Sequence, residues 1–439
     1  MLRPGTMLRA LSLGLLALAV TACGGGGGGN DDGSSDSVPV LSNLQYAPDS
    51  VLQFDGDGQA AINGTFNFQD KGGDLASLTL STSQGPSLTE PISGASGIKS
   101  GVINGVIEVD TSVIGRYTFE VYVTDSRGNR SNSLSGTFEV KVNDTANRWS
   151  VQSLPVPSGS TVRLNGVVHS GSQYVAVGEG IFTSPDGVTW TERPTGVSQA
   201  LNAVTWTGSR FVAVGNGGTV LTSTDGASWA LQGVPAALEP VLKGVAASGN
   251  MYVAVGTQWS TATSTYAELI LTSADGVTWN KAAQSYSMAL DDVVWSGTKF
   301  VAAGTELGGM NALAAVLVSA DGVTWTKHLV GALSTLQEIA WSGSKFLATG
   351  NAGAVISADG ITWTQVGMGS VGGGAIGWSG QRFLVCSIVY CQSSTDGVQW
   401  SGTAQLPGNG PWVRGLAWGG TKWVAVGQAS SAPLVLTSP

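Results

Sequence analysis

The chain has 439 residues, of which 64 are glycine and 15 are tryptophan, and its formal net charge is −9. This length fits two or three domains, and the acidic balance argues against a nucleic-acid partner, which needs a basic surface. Two histidines and three cysteines are too few for a metal site rich in these ligands, so we expect neither a metal ion nor another cofactor.

The first 22 residues have the pattern of an export signal. Arg3 and Arg9 precede an apolar run over residues 11–20, which is too short to span a bilayer. The run leads into Val-Thr-Ala-Cys at residues 20–23, a motif that resembles the lipobox of bacterial lipoproteins. The resemblance implies cleavage before Cys23, lipidation of Cys23, and a membrane anchor in the cell envelope, on either side of the outer membrane. An ordinary signal peptide followed by an incidental cysteine is the alternative.

Residues 23–37 contain the lipidated cysteine of this prediction and a low-complexity run, GGGGGGNDDGSSDS. Such a composition cannot bury an apolar core. We interpret the segment as a flexible tether between the membrane and the folded part of the protein.

Residues 38–145 contain short segments of alternating polarity between turn signals, which predict a β-sandwich. The segment GRYTFEVYVTD at residues 115–125 resembles the late strands of bacterial immunoglobulin-like modules, which implies an immunoglobulin-like β-sandwich that acts as a spacer or an adhesion-type stalk. Several aspartates in its predicted loops are either turn residues or calcium ligands: Asp55, Asp57, Asp70, Asp74 and Asp125.

The remainder, residues 146–439, is an internal repeat. An aromatic residue opens the second predicted strand of each unit, at intervals of 37 to 48 residues: Tyr174, Phe211, Tyr252, Phe300, Phe346, Phe383 and Trp423. Four predicted strands in each unit of this length indicate a seven-bladed β-propeller. The first strand, at residues 147–153, is predicted to complete the last blade and so close the ring. The fold class is therefore all-β, with the propeller preceded by the sandwich.

Each complete repeat ends in a Ser-x-Asp-Gly turn followed by tryptophan. This motif resembles the Asp-box of BNR-repeat propellers, which occur in sialidases and in photosystem II assembly factors, and the resemblance implies a fold and no particular activity. Physically, Asp-Gly suits a tight hairpin turn. We therefore interpret the six aspartates as structural: Asp186, Asp225, Asp275, Asp321, Asp359 and Asp396. Cys386 and Cys391 flank a four-residue connection and form either a cross-strand disulfide or two buried thiols.

Candidate binding residues lie on the face that carries the connections between repeats. Trp259 and Trp412 do not fit the repeat register, and Tyr266 belongs to the same insertion as Trp259, so they either bind a sugar ring or a protein partner or pack loops. A polar residue also follows the leucine of most first strands, which predicts either a polar ring at the channel mouth or a solvated rim: Asn165, Asn202, Lys243, Asp291, Gln337 and Arg414, with Gly374 in the sixth repeat.

Three functions follow from these observations. The leading hypothesis is a non-enzymatic, lipid-anchored binding protein whose propeller holds a protein or glycan partner, using Trp259, Tyr266, Trp412, Arg163, Lys243 and Arg414. A sialidase-like glycosidase would need three convergent arginines, a Tyr–Glu pair and an acidic residue. Arg163 and Arg414 could meet at the mouth and Tyr266 is close to Glu268, but a third arginine is missing. The third hypothesis is a purely structural component of the envelope.

Overall fold

The structure is a computed structural model and describes residues 14–22, 37–53, 59–82, 87–111, 113–141, 143, 148–235, 239–261, 264–283, 286–307, 312–331, 333–351, 353–368, 373–408, 410–430 and 432–438. All regular secondary structure in these residues is β-strand. In the same ranges there is no helix of the length and apolarity that crossing a membrane requires. The all-β fold class is confirmed. The chain divides into two compact units, Met1–Asn143 and Asp144–Pro439.

The described residues of the first unit form nine strands: β1 (Gly14–Ala22), β2 (Val40–Ala47), β3 (Ser50–Leu52), β4 (Gln59–Gln69), β5 (Leu75–Thr82), β6 (Leu88–Pro91), β7 (Ser100–Asp110), β8 (Gly115–Asp125) and β9 (Leu134–Lys141). They form two sheets, in the orders β1-β7-β4-β2 and β3-β9-β8-β5-β6. Apolar side chains from both sheets share one buried core, which includes Ile62 and Ile103 from one sheet and Val123 from the other. Alternation along β4, β7 and β8 produces this arrangement, because every second side chain points to the same face.

Strand β1 lies within the predicted signal peptide. It pairs antiparallel with β7, with Ala22 opposite Gly101. Cys23 and most of the predicted tether lie outside the described residues.

The second unit contains seven four-stranded sheets in its described residues, which we number in chain order. Sheet 1 contains β11 (Leu164–His169), β12 (Tyr174–Gly178), β13 (Ile181–Ser184) and β14 (Thr191–Arg193), and sheet 2 contains β15 (Leu201–Trp206), β16 (Phe211–Gly215), β17 (Val220–Ser223) and β18 (Ala230–Leu231). Sheet 3 contains β19 (Val241–Ala247), β20 (Tyr252–Ser260), β21 (Thr265–Ser273) and β22 (Asn280–Lys281), and sheet 4 contains β23 (Met288–Trp295), β24 (Phe300–Glu306), β25 (Leu313–Ser319) and β26 (Thr326–Leu329). Sheet 5 contains β27 (Glu338–Trp341), β28 (Phe346–Gly350), β29 (Gly353–Ser357) and β30 (Thr364–Val366), and sheet 6 contains β31 (Ala375–Trp378), β32 (Phe383–Cys386), β33 (Tyr390–Ser394) and β34 (Ser401–Gln405). Sheet 7 contains β35 (Pro411–Trp418), β36 (Trp423–Ala429), β37 (Ala432–Ser438) and β10 (Ser150–Val151).

The first strands of these sheets contact one another in a closed cycle, in which β11 neighbours both β15 and β35. Sheets of four antiparallel strands that surround a common axis through their first strands have the arrangement of a β-propeller. The propeller prediction is confirmed at this level. The buried second strands supply much of the core between sheets, and each begins with an aromatic ring, such as Phe211 or Phe300, that packs against the end of the first strand.

Sheet 7 combines strands from the two ends of the unit. Ser150 and Val151 of β10 pair with Thr437 and Leu436 of β37, and the backbone N–H of Gln152 donates to the carbonyl of Val435 at 2.8 Å. The outermost strand of this sheet therefore comes from a part of the chain that precedes sheet 1.

The turn between the third and fourth strands has the same hydrogen bonds in sheets 1 to 6. In sheet 2, Oδ1 of Asp225 accepts from the backbone N–H groups of Ala227 and Ser228, both at 2.8 Å, and from the Ser223 hydroxyl at 2.9 Å. The indole N–H of Trp229 donates to the carbonyl of Gly226 at 2.9 Å. The carboxylate thus satisfies the backbone of its own turn. In sheet 6, Cys386 and Cys391 are directly opposite and form a disulfide, as predicted.

Candidate functional site

A polar pocket of about 340 Å³ lies where the first strands of the second unit begin. Residues from all seven sheets line it: Asn165, Asn202, Asn216, Val241, Lys243, Asp291, Gln337, Glu338, Gly373, Gly374, Ala375, Trp412, Val413 and Arg414. This set contains every member of the predicted polar ring. The structure therefore brings together side chains that are separated by about 250 residues in the chain.

A β-bulge explains why polar residues occur at this point of apolar strands. In five of the sheets the register between the first and second strands shifts by one residue, directly after a buried leucine or valine. The unpaired residues are Asn165, Asn202, Lys243, Asp291 and Arg414. A bulge leaves one residue out of the ladder and redirects its side chain, so these polar groups line the pocket while the flanking apolar residues stay in the core.

Glycine follows the bulge in sheets 1, 3 and 7 because the first strands approach closely there. A Cβ on Gly244 would lie 2.7 Å from Cα of Asp292, and a Cβ on Gly415 would lie 3.0 Å from Cα of Gly166. Only glycine permits this distance without displacing the neighbouring strand.

Two asparagines of the pocket connect adjacent sheets. Nδ2 of Asn165 donates to the carbonyl of Leu201 at 2.9 Å, and Nδ2 of Asn202 donates to the carbonyl of Leu242 at 2.8 Å and to Oδ1 of Asn216 at 2.9 Å. Among the described residues no donor reaches the Oδ1 atoms of Asn165 and Asn202. The amide nitrogen of each side chain therefore bonds to the fold, and the amide oxygen is available to a ligand.

Asp291 of sheet 4 and Glu338 of sheet 5 place acidic groups on one side of the pocket, beside Lys243 of sheet 3, and Asp292 follows Asp291 without lining the pocket itself. Lys243 forms an ion pair with Asp291 at 2.5 Å, and the neighbouring Asp292 accepts from the N–H groups of Val293 at 2.8 Å and Ile339 at 3.0 Å. Burial raises the pKa of Asp292 to about 7. Burial and then the nearby carboxylates of Asp292 and Asp291 raise the pKa of Glu338 well above its usual range. Because their pKa values are raised, Asp292 and Glu338 carry less negative charge near neutral pH than their formal charges indicate.

Sheets 7 and 1 form the opposite, basic side. The guanidinium carbon of Arg414 lies 4.2 Å from the centre of the Trp412 ring, whose side chain is 52% exposed. Burial, and secondly the charge of nearby Arg163, lower the pKa of Arg414. Arg163 is therefore close enough for its charge to act on Arg414, but it is not among the residues that line the pocket, and a meeting of the two arginines at the mouth stays a prediction.

Trp259 and Tyr266 do not line the pocket. They pair across the extended hairpin of β20 and β21, with ring centres 5.3 Å apart, and the Tyr266 hydroxyl donates to Oε2 of Glu239 at 2.8 Å. This bond raises the pKa of Tyr266, so the phenol stays protonated. Glu268, which sequence proximity suggested as a partner of Tyr266, is buried and accepts backbone N–H groups of Tyr286 and Met288.

In the first unit, the described aspartates of the proposed calcium ligands hold turns. Asp70 accepts from the N–H groups of Gly72 and Asp74, and Asp125 accepts from those of Arg127 and Asn129. Asp55 and Asp57 lie outside the described residues. Over the part of the chain that the structure describes, no three His, Cys, Asp or Glu side chains are grouped so that they could hold a metal ion.

Four polar residues of these sites were not singled out from the sequence: Asp292, Glu338, Asn216 and Glu239. A signal exists for two of them, because only sheets 4 and 5 follow their first-strand leucine with two consecutive polar residues, Asp291-Asp292 and Gln337-Glu338. Asn216 and Glu239 lie in connections, where the sequence has no periodicity that would predict their position.

No protein-family model matches the chain, and no curated protein matches it. Among solved structures, the chain is similar to the Neurospora crassa Pan2 WD40 domain at 9% identity, covering 67% of this chain and 96% of that one with a TM-score of 0.47. It is also similar to the AfRom2 CNH domain at 11% identity, covering 66% and 99% with a TM-score of 0.43, and to the C-terminal WD40 domain of Sif2 at 12% identity, covering 64% and 97% with a TM-score of 0.38.

Proposed function

We propose that the chain is a non-enzymatic, lipid-anchored protein of the bacterial cell envelope whose propeller binds a protein partner at the polar pocket. The finer architecture of this proposal is a seven-bladed β-propeller preceded by an immunoglobulin-like β-sandwich. The observation that carries it is the pocket, where polar and aromatic groups from six of the seven sheets converge and Trp412 remains half exposed. A glycan is the alternative occupant, because the same amides and indole suit hydroxyl groups and sugar rings.

The geometry favours binding over hydrolysis. Glycoside hydrolysis uses two carboxyl groups at a defined separation, one of which attacks or activates water. In the pocket, Asp291 is paired with Lys243, and the adjacent Asp292, which does not line the pocket, accepts hydrogen bonds from two backbone N–H groups. The Tyr266–Glu239 pair lies away from the pocket lining. These carboxylates are engaged in the fold, which supports a recognition role.

The binding site is tested by cross-linking the full chain in native envelopes and identifying captured partners by mass spectrometry. A Trp412→Ala/Asn202→Ala variant should lose the specific partner at least tenfold, whereas a Trp259→Ala/Tyr266→Ala variant should retain it. Both variants remove one indole, and a thermal unfolding curve for each shows whether it is folded. Loss in the hairpin variant with retention in the pocket variant would overturn the pocket assignment. Immobilised glycans, offered to the same variants, distinguish the alternative occupant.

The lipid anchor is tested independently with radiolabelled palmitate. The wild-type chain should incorporate label and partition with membranes, and Cys23→Ala should do neither while the propeller remains folded. Unlabelled wild-type protein whose N-terminus begins upstream of Cys23 would contradict the anchor. Cleavage at this position would also remove β1 from the sheet that contains β7.

A further inference from the structure

The basic side of the pocket has positive charge that the described protein does not neutralise. No carboxylate among the described residues forms an ion pair with Arg163 or Arg414. Glu179, the nearest acidic partner of this segment, accepts the backbone N–H of Arg163 at 3.2 Å. Nε of Arg414 is buried and has no hydrogen-bond partner in the described part of the chain. A buried donor without an acceptor is unfavourable, so an acceptor supplied by a ligand would be strongly favoured there.

The rest of the pocket does not offset this charge. Lys243 and Asp291 neutralise each other, and Asp292 and Glu338 lie in sheets 4 and 5, across the pocket from sheets 7 and 1. The pocket is therefore polarised: an anionic group entering it meets the Arg414 guanidinium on one side, where Arg163 directly precedes the neighbouring strand β11, and carboxyl groups on the other. Position, as well as net charge, selects the side at which an anion binds.

The shape of the basic side narrows the class of anion. Trp412 holds the Arg414 guanidinium by contact with its ring, so its planar fork of N–H donors is fixed before a ligand arrives. A fixed fork matches the two coplanar oxygens of a carboxylate. The exposed part of the Trp412 indole lies directly beside it and suits an apolar group next to the anion.

We propose that Arg163, Arg414 and Trp412 form a carboxylate-binding corner that recognises an acidic group of a peptide segment of the protein partner. The free Oδ1 atoms of Asn165 and Asn202 then accept backbone N–H groups of the same segment. This inference rests on the proposed function, and it specifies the chemistry of the ligand. The carboxylate comes either from an Asp or Glu side chain or from a chain terminus, and the two sources are separated by the test.

The test uses the full chain and immobilised random heptapeptides. Four pools are prepared: peptides that contain Asp and Glu or have Asn and Gln in their place, each with a free or an amidated C-terminus. Peptides retained by the wild type are resynthesised, and their dissociation constants are measured for the wild type and for Arg163→Gln/Arg414→Gln. The matched control is Arg116→Gln/Arg193→Gln, which removes the same charge at Arg116 in β8 of the first unit and at Arg193 in β14, the outermost strand of sheet 1.

We expect retention from pools that keep a carboxylate, and at least tenfold weaker binding by the pocket variant than by the control variant. Dependence on Asp and Glu identifies a side chain as the source, and dependence on the free C-terminus identifies a chain terminus. Arg414→Lys, which keeps the charge without the fork, should also weaken binding. Equal binding of the neutral pools, equal affinity of the two double variants, or no binding by any pool would overturn the inference. The proposed function is tested separately. If the carboxylate inference fails but the Trp412→Ala/Asn202→Ala variant loses the partner in native envelopes, the pocket is still the binding site and its ligand is not recognised through a carboxylate.

Discussion

Gly377 of sheet 6 leaves the space that the indole of Trp423 in sheet 7 fills. A Cβ on Gly377 would lie 2.4 Å from Cζ3 of Trp423, which is fully buried. Trp423 is the one tryptophan among the seven aromatic residues that open second strands, and Gly377 is the one glycine at its repeat position, where the other sheets have valine, threonine or alanine. Gly419 faces the Tyr174 hydroxyl in the same way, at 1.9 Å for a Cβ. The small and the large residue compensate each other across the interface between sheets.

This compensation predicts a specific non-additive pair of substitutions. Gly377→Ala should destabilise the second unit by about 1–3 kcal/mol, because it overpacks a filled interface. Trp423→Phe should also destabilise it, because it leaves a void. The double variant should be more stable than the sum of the two effects predicts, since phenylalanine leaves room for the added methyl group.

Urea unfolding followed by tryptophan fluorescence measures this effect in the second unit alone, because all 15 tryptophans lie between residues 149 and 423. Ala417→Gly, at the same repeat position in sheet 7, is the control that should show no rescue by Trp423→Phe. Strict additivity of Gly377→Ala and Trp423→Phe would show that the two residues do not share one packing space.

The closure of the ring predicts a backbone-specific effect at Gln152. Gln152→Pro removes the N–H that donates to the buried carbonyl of Val435, and an unsatisfied buried acceptor costs about 1–3 kcal/mol. Gln152→Ala keeps the backbone N–H and removes only side-chain bonds, from Nε2 to the Thr437 hydroxyl at 2.8 Å and to the Ser150 carbonyl at 3.3 Å, and should cost about 1 kcal/mol or less. Chemical unfolding of both variants gives the difference. Equal stabilities would mean that β10 contributes little to sheet 7.

The turn aspartates predict a loss of stability in acid. Their hydrogen bonds lower the pKa of Asp225, Asp275, Asp321 and Asp359 to about 2, below the unfolded value of about 3.9. The stabilisation that this difference provides is present above about pH 4 and is lost as the pH falls towards 2.

Asp225→Asn isolates one of these carboxylates, because asparagine keeps an acceptor oxygen but does not ionise. The stability difference between the wild type and this variant should therefore be larger at pH 6 than at pH 2.5, and Asp225→Ala should be destabilised at both. Free energies of unfolding from urea titrations across this range provide the measurement. A difference between wild type and Asp225→Asn that does not change with pH would contradict the assigned pKa.

Glu338, which lines the pocket, and Asp292, which lies beside it, predict the opposite pH dependence. Burial raises the pKa of Asp292 to about 7 and that of Glu338 well above its usual range. A raised pKa contributes stability that is complete below the unfolded pKa, near 4, and is lost as the pH rises through the folded value. Glu338→Gln should therefore be more stable than the wild type at pH 8, and the advantage should shrink at pH 5. Unfolding midpoints at the two pH values measure it, with Glu192→Gln as an exposed control that should show no such change. An advantage of Glu338→Gln that is equal at pH 5 and pH 8 would contradict the raised pKa.

The sequence alone predicted the all-β fold and the propeller arrangement, because both depend on local signals repeated along the chain, and it predicted the disulfide from two cysteines that flank a short connection. The period of the aromatic residues and the Asp-Gly turns defines one supersecondary unit several times over. The polar residue after each first-strand leucine was visible for the same reason. Its meaning was open, since the sequence allowed either a pocket or a solvated rim.

Only the tertiary structure decided which of these polar groups face one another and which are already satisfied. Ring closure places sheet 7 beside sheet 1, so the charge of Arg163 acts on Arg414 although the two residues are 251 positions apart in the sequence. The packing of sheet 3 against sheet 4 engages Asp291 with Lys243, and the connection before β19 supplies Glu239, in place of Glu268, to Tyr266. The repeat period is sufficient to predict the fold because the hydrogen bonds of each sheet join strands that are close in the sequence. The charge balance of the pocket depends on distances between different repeats, and no local pattern encodes those distances.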